Sequence, residues 1–145
     1  MKAISYHQPY AWMLANGYLD IDDRSWSTPY RGLLAIHASK AFSAYYYAYV
    51  RDGLGIRIPE QAELGYGVIL GQARLVHMIQ PGEMTAVPDA RRAYGGERCF
   101  GWQFEAVERF EQPVPCRGQQ GLFDVDIPAL IAEEATRKGK QFGLF

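Results

Sequence analysis

The sequence predicts an α+β fold, a small barrel of five to six short strands, mixed or antiparallel, with helices between and beside them. Three observations carry that reading. Short segments alternate apolar and polar residues at the strand period, Gly and Pro punctuate the chain every ten residues or so, and helical periodicity is confined to a few brief stretches.

Residues 2–6 alternate weakly up to the His7-Gln8-Pro9 break and read as a first strand. Pro9 suits the first turn of a helix, and Asn16-Gly17 supplies its stop, so 9–16 reads as a helix. Residues 21–26 read as extended, which places Asp22, Arg24 and Trp26 on one face because side chains repeat every two residues. After a turn at 28–32, the apolar segment 33–38 is a strand ending at Ser39-Lys40. Phe42, Tyr45, Tyr46, Tyr49 and Val50 follow helical spacing and read as the packing stripe of a helix over 42–52. Residues 55–66 read as loop, and 67–79 as the longest strand, with Gly71 at a bulge. Residues 81–97 mix Pro, Gly and both charge signs and read as a surface insertion, a candidate contact for a protein partner. A half-exposed strand follows over 99–110, then a rigid turn at 112–115, a glycine-flanked loop at 117–123, and a final helix over about 128–138 that Pro128 opens.

The chain of 145 residues reads as one domain, 1–145, and 48% hydrophobic with 21% charged residues excludes a disordered or fibrous chain. No apolar run reaches the roughly 18 residues of a membrane span, and the N-terminus carries no hydrophobic signal core, so a cytoplasmic protein is expected. Cys99 and Cys116 are too few for a disulfide scaffold, and with His7 and His77 they show no metal-ligand spacing. No metal and no cofactor are expected. Fifteen basic and 16 acidic residues leave a net charge of −1, so any nucleic acid must be held by a local pocket rather than a charged face.

Several side chains could build such a pocket. Arg24 offers a planar donor fork for a phosphate or base carbonyl, and Asp22 can accept from an amino group; alternatively the two form an internal ion pair. Trp26 is either a stacking wall or a barrel plug. His37 is either a general base or a hydrogen-bonded structural histidine. Ser39 and Lys40 follow it at a strand end, where a hydroxyl and an ammonium could meet a phosphate, unless Lys40 is a solvated surface charge. Gln8 either reads a base edge or caps the helix onset. Ser39 and His37 share a strand face, which does not make a nucleophilic triad.

The segments 4–11, 17–26, 30–32 and 36–40, with the sequences ISYHQPYA, GYLDIDDRSW, YRG and IHASK, resemble the ASCH domain family in order and spacing. GVILG at 67–71, FGW at 100–102, PVP at 113–115 and GQQGL at 118–122 extend the likeness over about residues 2–125. The resemblance implies a PUA-like β-barrel related to RNA-modification and coactivator-associated proteins. The family signature Gly-x-Lys-x-x-Glu-x-Arg reads here Gly17, Leu19, Asp22 and Arg24, with leucine in place of the lysine. Some ASCH-type proteins resemble amidohydrolases of acylated cytidine, in which that lysine is catalytic, and Leu19 can supply no base.

The expected function is therefore binding of single-stranded RNA or an unstacked nucleotide, in a pocket between the 17–26 strand and the 36–40 strand end. Arg24, Arg31 and Lys40 would meet phosphate or carbonyl groups, Asp22 and Gln8 a base edge, and Trp26 a base face, with His37 and Ser39 beside them. The alternative is a hydrolase of modified nucleosides, or a ribonuclease, with Asp22, Arg24 and Lys40 as its candidate catalytic group.

Overall fold

In the computed structural model, which describes residues 1–88, 91, 98–141 and 143, burial along Lys2–Gln8 follows the strand period. Ile4, Tyr6 and Gln8 point to one side, and Ala3 and Ser5 to the other, as a pleated strand requires. This strand, β1, leads into α1 (Tyr10–Ala15), all six residues of which are buried. Next come β2 (Ile21–Arg24), β3 (Gly32–Phe42), α2 (Ala44–Ala48), β4 (Val68–Ile79), β5 (Phe100–Pro115), β6 (Phe123–Asp124) and α3 (Ile127–Gln141).

The strands form one mixed sheet in the order β2-β5-β4-β3-β1-β6, with β1 and β3 parallel and the other pairs antiparallel. One face carries Ile4, Tyr6, Leu34, Ile36, Leu75, Trp102 and Phe104 and closes around α1, where Met13 is fully buried. The opposite face gathers Ala3, Ala35, Ile69, Val114 and Phe123 beneath Ile127 and Leu130 of α3. In a flat sheet β2 and β1 would stand four strand spacings apart, roughly 19 Å. Yet Arg24 of β2 donates to the Ser5 carbonyl of β1 at 2.9 Å. The sheet thus curls upon itself, and at this seam an arginine side chain spans the gap between the two strands.

Several local expectations change. β3 continues through Ser39-Lys40 to Phe42, because five of its residues (Ala38 to Phe42) span the same stretch as three of β1 (Tyr6 to Gln8) across a bulge. Residues 112–115 belong to β5 and are not a turn. Ile69 to Gly71 of β4 oppose Val114 to Arg109 of β5, so Pro113 falls in the bulged stretch, where a missing N–H costs no ladder bond. Gly71 lies at this register shift, and a side chain on it would strike the Glu108 carbonyl. In the tyrosine stripe Tyr46 and Val50 are buried but Tyr45 is 87% exposed, and the helix widens to a π-helical turn over Tyr49–Gly53. The first part of the expected surface insertion is anchored instead: Pro81–Ala86 forms a 3-10 turn, and its Met84 is buried against Ile21 and Ile79. Residues 89–90 and 92–97 of that segment lie outside the described residues. Among the described residues no helix is long and apolar enough to cross a membrane.

Candidate functional site

The sequence-derived site residues separate into two groups on opposite faces of β1. Inside the curl, Arg24 donates through Nε to Asp22 at 2.5 Å and through Nη2 to the Ser5 carbonyl. Its guanidinium lies 4.9 Å from the centre of the Tyr6 ring and 5.9 Å from that of Trp26. Trp26 stands edge-on to Trp102, whose indole N–H donates to the Trp26 carbonyl. Burial pushes the Asp22 carboxyl up to about 6, against the pull of Arg24. Burial also raises the Tyr6 hydroxyl well above its ordinary value, and the Asp22 charge adds to it. For Arg24 itself, burial opposes the charge, and Asp22 and Tyr6 together outweigh that opposition and raise its pKa.

The proximity of Asp22, Arg24 and Trp26 follows the period-two argument, but their polar groups are directed at one another and at the backbone, the internal ion-pair alternative. Gln8 also has a fixed task. Its amide donates to the Leu64 and Gly65 carbonyls and accepts from the Trp12 N–H, so this fully buried side chain ties α1 to a loop and presents no edge to a base. Arg31 is exposed and bonds the carbonyls of Thr28 and Tyr30, holding the turn before β3. Leu19 is buried in the core beside a cavity of about 200 Å³ bordered by Tyr6, Leu14 and Phe104.

On the outer face lies a larger, polar cleft of about 790 Å³. Its floor is Ser5 of β1 beside its parallel register partner, His37 of β3. Ser39 and Lys40 also line the cleft; the β3 bulge lets adjacent residues face the same opening. The loop from Cys116 to Gln120 completes the lining, bringing Arg117, Gln119 and Gln120. The structure therefore unites His37, Ser39 and Lys40, and sets Lys40 apart from the Asp22–Arg24 pair with which it was expected to act.

At the floor, His37 Nε2 meets the Cys116 carbonyl at 2.7 Å and Nδ1 meets the Ser5 hydroxyl at 2.7 Å. A carbonyl only accepts, so Nε2 carries the proton, Nδ1 is bare, and Ser5 donates to it. Burial lowers the His37 pKa, partly opposed by the bond to Cys116, which keeps the ring neutral at pH 7. Gly118 covers this pair so closely that a Cβ on it would stand 2.7 Å from His37 Cε1 and 3.0 Å from Ser5 Oγ. Sequence reasoning missed Ser5, Arg117 and the two glutamines. The glycine-flanked loop was a visible signal, whereas the Ser5–His37 pairing depends on a parallel register across 32 positions.

The sequence matches no protein-family model and no curated protein. Its structure is similar to the crystal structure of ASCH from Zymomonas mobilis, with a TM-score of 0.60 at 9% identity, covering 93% of this chain and 93% of that one. Two single-residue variants of the same Zymomonas protein each match with a TM-score of 0.58 at 9% identity, over 93% of this chain and 96% or 94% of theirs.

Proposed function

From the premise that this chain has an ASCH-type fold, we propose that it binds single-stranded RNA or an unstacked nucleotide in the polar cleft of the outer face. The observation that carries the reading is that Lys40 and Arg117 both line one opening, in a protein whose net charge is −1. Two local cations suit one or two phosphates, whereas a duplex would call for a broad basic surface. Gln119 and Gln120 carry amides that both donate and accept, the chemistry of a base edge. A volume of about 790 Å³ lies within the ordinary range for small-ligand sites, roughly 300–1,000 Å³. The partners of Arg24, Asp22, Gln8 and Arg31 support leaving them out of the interface.

The test is fluorescence anisotropy of a short labelled single-stranded RNA, titrated at several salt concentrations. The wild type binds with an affinity that falls as salt rises. The double variant Lys40→Ala, Arg117→Ala binds more weakly, and its log–log salt slope is shallower by about 1.4, two phosphates at roughly 0.7 each. Wild-type affinity and slope in the double variant would reject the cleft as the interface.

A further inference from the structure

We propose that Ser5 and His37 are a nucleophile and its base, and that the cleft hydrolyses acyl esters whose alcohol portion carries a phosphate. The phosphate in this statement rests on the binding reading above; the nucleophile does not. The argument begins with direction. Ser5 donates to the bare Nδ1 at 2.7 Å, and Nε2 is tied to the Cys116 carbonyl at 2.7 Å, so the imidazole is oriented and its tautomer set by a third group. Such a chain of hydroxyl, imidazole and acceptor activates a weak nucleophile. It is also held from the other side, because Arg24 grips the Ser5 carbonyl.

Its surroundings suit the chemistry. Ser5, half-buried, borders an open cleft with the buried His37 beneath it, and Gly118 leaves above the pair only the room that a missing side chain provides. In the first step Ser5 Oγ bonds to the acyl carbon while its proton passes to His37 Nδ1. The carbon–oxygen bond to the alcohol then breaks, and the alcohol leaves with that proton. Water, giving a proton to His37, attacks the acyl-serine; the acid departs and Ser5 recovers its hydrogen. One ester and one water become one acid and one alcohol. Lys40 and Arg117 would hold the phosphate of the alcohol portion.

The experiment treats the full chain with an alkyl fluorophosphonate and follows intact mass, then maps the labelled peptide. Serine attack forms an oxygen–phosphorus bond and expels fluoride. The expected result is a single adduct on Ser5, absent from Ser5→Ala and formed at least ten-fold more slowly in His37→Gln. On the wild type the labelling rate rises through one ionisation below pH 6.5 and is flat above it, a readout that does not depend on the histidine variant folding. With 2-acetoxyethyl phosphate as substrate, Lys40→Ala with Arg117→Ala raises KM and leaves kcat in place. No adduct, or equal labelling of Ser5→Ala, overturns the proposal. Labelling of Ser5 in a protein that fails to bind RNA supports the nucleophile and its base while rejecting the RNA reading.

Discussion

Asp22 shows how a residue that looks like a recognition group is spent on structure. Its carboxyl is 1% exposed and raised to about 6, chiefly by burial. A carboxyl whose folded pKa exceeds its unfolded value near 3.9 favours the fold while protonated, and that contribution is lost as pH rises from about 4 to about 6. The shift corresponds to about 3 kcal/mol at most. Carbon-detected NMR should place the Asp22 midpoint near 6, and a midpoint near 4 would contradict the burial argument. His37 acts in the opposite sense. Its folded pKa is lowered, so its contribution is present above about 6.5 and declines as pH falls. The sequence made His37, Ser39 and Lys40 readable as a group because they are nearly contiguous. The Asp22–Arg24 pair was readable as one alternative from its spacing, but the bond of Arg24 to the main chain of Ser5, 19 positions away, was not.

At the scale of elements, the cleft owes its depth to the 116–120 loop and its polar floor to a parallel strand pair. A side chain at Gly118 must displace His37 or lift the loop. If the cleft binds RNA as proposed, Gly118→Val should therefore weaken that binding by at least ten-fold while leaving the α1 core unchanged, as paired anisotropy and thermal unfolding would show; unaltered affinity would mean that the ligand avoids the floor. The helix α1 is the counterpart inside. Its Met13 is fully buried, and Met13→Ala should cost about 2–5 kcal/mol in urea unfolding. Alternation exposed most strands to sequence reading. The ends of β3 and β5 escaped it because both are extended by bulges, in which residues are added without changing the local composition.

For the molecule as a whole, the order of glycines, prolines and short motifs pointed to an ASCH-type fold that structural similarity bears out, although the similar solved structures share only 9% identity. Turn chemistry and strand spacing constrain topology more tightly than side-chain identity does, since many apolar residues fill a core equally well. What the sequence could not convey was how the curl is held. Across the seam between β2 and β1, Arg24 is the bridge, flanked by Tyr6 and the two tryptophans. Arg24→Met should destabilise the protein by about 3–5 kcal/mol, because Asp22 is left as a buried charge without its partner. Hydrogen exchange should quicken at the amides of β2 well before those of β3 and β4. Uniform quickening across the sheet would assign Arg24 a general role rather than a local one.

Ser5 belongs to both halves of this architecture. Its carbonyl is held from within by a guanidinium, and its hydroxyl is held from without by an imidazole. The residue works like a rivet through a wall, so tension on one head is felt at the other. Interior substitutions at Arg24, Asp22 or Tyr6, none of which lines the cleft, thereby become adjustments to the aim of an outward-facing oxygen.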